Sequence, residues 1–240
     1  MAQELLLVFV TLAASLVGTA SGFGTSTIMI PVLSLSMPLP AALLFVGVIH
    51  LCGDVWKVIL FRRGLIWRLV LGFGLSGIIA SYFGATFSLY AAAMPLKKAL
   101  GVFLILYVVF LFVKRDWALP KTDGTAVCGG LLSGFFAGFF GVGGAVRGAF
   151  LAAYDLPKDV YVFTSGVIAL FIDLTRVYRY VSGGTRIEGD LLHALLLCIP
   201  VSFIGAWLAK RFLQKLPQRS FRFLVGLFLA LVGLVLLAKP

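Results

Sequence analysis

The chain has 240 residues, of which 61% are hydrophobic and only 12% charged, and its mean hydropathy is +1.10. Long apolar runs at that composition describe a polytopic membrane protein and exclude a soluble domain. Basic residues outnumber acidic ones by 20 to 9; in so apolar a chain the excess reads as topology signal and contact with the lipid bilayer, with no nucleic acid as partner.

Apolar segments fall at 4–20, 25–36, 41–61, 69–93, 99–113, 125–140, 145–154, 160–178, 190–209 and 220–238. Residues 1–22 have the look of a signal peptide, with Thr-Ala-Ser-Gly near a cleavage point. Their first residues, Met-Ala-Gln-Glu, carry no Lys or Arg, which argues against that reading. Several segments exceed the roughly 17 residues that span a bilayer. Segments 25–36 and 145–154 do not, and each reads as half a helix.

Sliding the chain by 119 residues, the difference between positions 141 and 22, places Gly22 and Gly24 on Gly141 and Gly143. The same register pairs Pro38 with Pro157, Gly47-Val48-Ile49 with Gly166-Val167-Ile168, Asp54 with Asp173, Lys57 with Arg176 and Gly64 with Gly183. A buried acid, a nearby base and a proline rarely keep one register by chance, and internal repeats are a recurring device of transporters. The expected organisation is therefore a first transmembrane repeat at 1–116, a connector at 117–123 and a second repeat at 124–240. Each repeat holds a broken or re-entrant Gly-rich segment and three spanning helices, in an all-α polytopic membrane fold. If the broken segments are re-entrant, most of the 20 basic residues gather on one side; if they cross, the residues divide almost evenly. The positive-inside rule thus favours inverted repeats, with the connector cytoplasmic and both termini outside.

The stretch Gly138 to Phe150 is the densest in chemistry. Gly141, Gly143 and Gly144 interrupt an apolar run, and Arg147 follows behind them. Glycines let backbone approach a ligand closely, and a broken helix with a cation beside its free amides suits an anion. The plainer alternative is a glycine-lined packing face with Arg147 snorkelling to the interface.

Further along, His50, Asp54 and Lys57 share one helix face at i, i+4 and i+7, and Asp173, Arg176 and Tyr180 share another. Ionisable residues inside a span line a path or pair with one another. Asp54 and Asp173 thus read as orienters of the neighbouring bases or as proton carriers. The alternative is two ion pairs that lock helices, with Lys57, Arg176 and Arg179 near the membrane surface. His50 has no counterpart in the second half, where Ala169 stands.

Cys52, Cys128 and Cys198 sit at unrelated spacings in apolar segments, so no metal motif and no disulfide framework is expected. No zinc-protease, nucleophile-elbow or phosphate-loop pattern occurs, so the chain does not read as an enzyme or as an ATP-driven pump.

The stretch Gly22-Phe-Gly24-Thr-Ser-Thr-Ile-Met-Ile-Pro31-Val-Leu33 resembles the sulfite exporter (TauE/SafE) family, also called the 4-toluene sulfonate uptake permeases. That family's pattern is a Gly-rich run followed after four residues by Pro-x-Leu, in degenerate form in each half. Thr25 and Ser26 replace two glycines in the first copy, and Ala145 and Phe150 depart from the pattern in the second. The resemblance implies a multi-pass protein of the cell membrane, here the bacterial inner membrane. It also implies secondary transport, often export, of a sulfur-containing anion such as sulfite or an organosulfonate, without a bound cofactor. Self-association into a homo-oligomer stays open. The substrate-binding set expected on these grounds is Gly22, Gly24, Thr25, Ser26, Gly141, Gly143, Gly144 and Arg147. The coupling or gating set is His50, Asp54, Lys57, Asp173 and Arg176. Alternatives are another small anion such as a carboxylate, or sulfur transfer through Cys52.

Overall fold

The computed structural model describes residues 2–21, 24–62, 64–113, 119–212 and 218–238. Regular structure among them is helical throughout: α1 (Ala2–Ser21), α2 (Ser26–Leu33), α3 (Leu39–Leu60), α4 (Trp67–Tyr90), α5 (Ala93–Val113), α6 (Asp123–Phe140), α7 (Gly143–Leu151), α8 (Lys158–Ser182), α9 (Asp190–Phe212) and α10 (Gln218–Ala238). Among the described residues, six helices are long and apolar enough to cross a membrane: α3, α4, α6, α8, Ala93–Phe110 of α5 and Asp190–Arg211 of α9. On α4 the residues Leu71, Leu75, Ile79, Phe83 and Phe87 are all exposed at four-residue spacing. Such a stripe suits lipid.

The breaks fall at the glycines. Gly24 adopts φ +83° and its amide returns to Gly18 O at 3.1 Å. Gly141 ends α6 in the left-handed region, and the amides of Gly141 and Val142 both return to Phe136 O. A Cβ is disfavoured at such φ, and the returning amides satisfy carbonyls that the helix end leaves free. Beyond each break comes a helix of only eight or nine residues, α2 or α7. Pro38 and Pro157 then open α3 and α8 with matching backbone, φ −56° and −52°. Proline is preorganised for a helix start and forfeits no hydrogen bond there.

Each broken segment is a hairpin. A side chain at Gly143 would meet Ser133 and Ala137, and one at Gly129 would meet Phe150, so α7 runs back along α6. The Tyr154 hydroxyl closes the hairpin by donating to Thr122 O at 2.5 Å. α2 likewise returns beside α1, because Ser36 and Met37 line one cavity together with Glu4 and Leu7.

The hairpins enter from opposite ends of the bundle. At the end where α6 starts, Arg68 pairs with Asp123, Gly64 packs on Val160, and Lys210 donates to Leu60 O. At the other end a cavity of about 380 Å³ is lined by Glu4, Ser36, Pro38, Glu188 and Asp190, among others. The first end is basic; at the second, Lys97, Lys98 and Arg186 balance the carboxylates.

Helices pair across the two halves of the chain. α4 packs on α6 and α1 on α9, in each case running parallel. In the first pair a Cβ on Gly134 would fall 2.2 Å from Gly77 O, and one on Gly138 the same distance from Ser81 O. In lipid, where apolar surface has no water to escape, such close backbone approach is what holds helices together. α3 and α8 lie antiparallel at the centre: Gly47 faces Val177 and Arg176, while Gly166 faces Lys57 and Val58. These are the positions that the 119-residue register makes equivalent. α5 and α10 are also antiparallel, with Gly101 facing Leu237 and Gly226 facing Phe112.

Candidate functional site

The contact between α3 and α8 brings the charged residues together. On α3 the Lys57 ammonium donates to Asp54 Oδ1 at 2.7 Å, and on α8 Arg176 Nε donates to Asp173 Oδ1 at 2.5 Å. His50 joins the two pairs: its Nδ1 lies 2.5 Å from Asp173 Oδ2, 3.9 Å from Asp54 Oδ2 and 3.2 Å from an Arg176 terminal nitrogen. A guanidinium only donates, so Arg176 is the donor and His50 Nδ1 the acceptor of the hydrogen bond between them, while Asp173 Oδ2 lies in close polar contact with the same nitrogen.

Lys57 is 3% exposed and Arg176 0%. Each is enclosed by protein and paired with a carboxylate three residues away. Arg179 lies outside the cluster, donating to Thr86 Oγ1 and stacking over the Tyr82 ring.

Both glycine breaks border this cluster. A Cβ on Gly24 would meet His50 Nε2, and one on Gly141 would come within 3.1 Å of an Arg176 terminal nitrogen. Ser26 Oγ is 3.5 Å from His50 Nδ1, and Thr25 Oγ1 faces Gly53 at van der Waals distance. Gly24, Thr25, Ser26 and Gly141 therefore surround one spot, while Gly22 lies outside the described residues. Gly143 turns the other way, toward α6, and serves helix packing. Gly144 is buried in the first turn of α7.

Arg147 stands apart from the cluster. It is 1% exposed, and its Nε donates to Ser165 Oγ at 3.0 Å. Ser165 precedes Asp173 by eight residues on α8, an axial rise of about 12 Å. The sequence joined Arg147 to the glycine motif by proximity in the chain; in space it lies one turn down α7, toward the basic end.

Buried polar atoms that no protein group satisfies concentrate here. They include His50 Nε2, Arg176 Nη1, Thr25 Oγ1 and Arg147 Nη2. Orphaned donors cost stability unless a ligand or water meets them. Arg176 Nη1 is a donor and His50 Nε2 and Thr25 Oγ1 are able to donate, while Asp54 Oδ2 and Asp173 Oδ2 are acceptors left without hydrogen-bond partners in the same cluster; the donors suit an acceptor-rich anion. The ligand atoms of His50, Asp54 and Asp173 also lie within 4.8 Å of one another, as in a metal centre. Lys57 and Arg176 already neutralise both carboxylates, so a metal cation would add a third positive centre; the donor set does not fit one. Cys52 is half-buried on the same helix but enters no bond with the cluster.

A helical membrane bundle with two opposed hairpins meeting at a buried polar centre has the architecture of a membrane transporter. The chain belongs to the sulfite exporter TauE/SafE family, whose pattern matches residues 7–236. It is also 24% identical over 258 aligned residues to a protein of Methanocaldococcus jannaschii described as "Probable membrane transporter protein MJ0441", covering 97% of this chain and 94% of that one. It is accordingly a multi-pass membrane protein.

Proposed function

We propose that the protein is a secondary carrier that exports a small sulfur-containing anion, sulfite or an organosulfonate, through a central site between the two hairpin tips. The carrying observation is the set of partnerless groups around the breaks, with His50 Nε2 beside Gly24, Arg176 Nη1 beside Gly141, and Thr25 Oγ1 next to them. A sulfonate offers three acceptor oxygens, and charge-assisted hydrogen bonds to a guanidinium are among the strongest available to a protein. With Nδ1 accepting from Arg176, His50 Nε2 carries the ring proton and is free to donate to an anion. His50, Asp54, Lys57, Asp173 and Arg176 form the coupling group in this reading.

The antiparallel packing of α3 on α8 and of α5 on α10 supports inverted repeats, since equivalent helices run in opposite directions. The positive-inside rule then puts the basic end in the cytoplasm, where its field raises the local concentration of anions.

Flux measured in proteoliposomes with labelled sulfite, an organosulfonate and a simple carboxylate tests the reading. Saturable flux of the sulfur anions, quickened by an imposed pH gradient, is expected. Preference for the carboxylate reassigns the substrate, and absence of flux for all three rejects the carrier reading.

A further inference from the structure

We infer that Arg147 and Ser165 form a second oxyanion station, separate from the central site and displaced toward the basic end. The inference rests on the carrier reading and adds to it a second place where the same class of anion pauses.

Charge balance makes Arg147 the residue to explain. Asp54 and Asp173 are matched by Lys57 and Arg176. Among the described residues no carboxylate pairs with Arg147, whose side chain is nonetheless fully enclosed. Its Nη2 is buried without a partner. A buried cation with a neutral neighbour and a vacant donor is costly to the fold, and a visiting anion would offset that cost.

The geometry supplies a second donor. The Ser165 hydroxyl accepts from Arg147 Nε, which leaves its own proton free to donate outward. The pair thus offers guanidinium N–H groups and a hydroxyl to one small acceptor. Ser165 and Asp173 stand eight residues apart on α8, a backbone offset of about 12 Å, and Ser165 adjoins Gly166, which faces Lys57 and not His50.

The location has a counterpart in the central site. Next to Ser165, Gly166 faces Lys57 Cβ at 3.2 Å, just as Gly47 faces the Arg176 guanidinium at 4.0 Å. Each side of the α3–α8 contact therefore presents a carboxylate-bound cation next to a glycine gap. On the basic side Arg147 adds a charge that no acid cancels.

Equilibrium dialysis with labelled sulfite and with a labelled two-carbon sulfonate, on purified protein in detergent, decides the matter. The parent should hold two anions per chain with unequal affinities. Arg147→Met, which keeps length and removes charge, should hold one, with the surviving affinity within about threefold of the parent's. Ser165→Ala should weaken one class of site about tenfold and leave the other unchanged. This second variant keeps the test decisive if Arg147→Met fails to elute as a single species. One anion per parent chain overturns the inference while leaving the carrier reading intact. Loss of all binding in a well-folded Arg147→Met also overturns it, because Arg147 would then belong to a single site. No binding by the parent overturns both.

Discussion

His50 Nδ1 stands 2.5 Å from Asp173 Oδ2, whereas Asp54, on the histidine's own helix, is 3.9 Å away. The one histidine of the cluster is thus held by a carboxylate from the opposite half of the chain. Asp173 in turn serves two cationic or cation-forming groups, Arg176 and His50. It is the residue on which the α3–α8 contact depends.

Asp173→Asn should therefore damage both folding and transport. It leaves Arg176 buried at 0% exposure without its counter-charge, and breaking a buried pair costs about 3–5 kcal/mol. A lower melting temperature in detergent together with lost flux is the expected result. Lost flux with an unchanged melting temperature would assign Asp173 to transport alone and show that Arg176 has another counter-charge.

Two glycines with positive φ should respond differently to alanine. At Gly24 (φ +83°) the new methyl would collide with His50 Nε2, so Gly24→Ala should abolish anion binding. At Gly184 (φ +92°) nothing lies within 4 Å, so Gly184→Ala should cost only the backbone strain of about 1–2 kcal/mol and leave flux intact. Comparing binding isotherms and melting curves of the two separates site from strain. Equal loss of binding in both variants would remove Gly24 from the site.

Close helix approach predicts a third effect. A Cβ on Gly134 would sit 2.2 Å from Gly77 O, with backbone on both sides and no flexible side chain to yield. Gly134→Ala should force α4 and α6 apart at a cost of about 1–3 kcal/mol. The paired change at Gly205, which packs on Leu12 O of α1, should act alike at the other parallel pair. Thermal unfolding followed by size-exclusion chromatography reads both; unchanged melting in either variant would mean that its helix pair separates freely.

Topology is open to chemical labelling. With Cys52, Cys128 and Cys198 replaced, single cysteines at Lys121 and Lys158 flank the second hairpin, and one at Glu188 lies at the opposite end; all three positions are exposed. An impermeant maleimide should label Lys121→Cys and Lys158→Cys from one side and Glu188→Cys from the other. Labelling of the first two from opposite sides would mean that 123–154 crosses the membrane instead of turning back.

Much of this architecture was legible in the chain. Spacing alone put Asp54 with Lys57 and Asp173 with Arg176, and the glycine runs located both breaks, because these relations are local. The partnership of His50 with Asp173 was not legible: it joins residues on two helices far apart in sequence, and periodicity says nothing about which faces meet. The contact of Arg147 with Ser165 was not legible for the same reason, since Ser165 carries no signal of its own in an apolar run. The glycine contacts between α4 and α6 were also missed, because Gly72, Gly77, Gly84, Gly130, Gly134 and Gly138 read as ordinary members of long apolar segments.

The lone imidazole at the α3–α8 contact has a consequence for how such a protein can be assembled. Two identical half-length chains packed antiparallel would place either two histidines or none at equivalent positions. Here the equivalent of His50 is Ala169, itself fully buried. Two rings there would crowd the same pair of carboxylates, and none would leave Asp173 with one partner fewer. Joining the halves in one polypeptide is what allows a single imidazole at the centre of an otherwise duplicated arrangement.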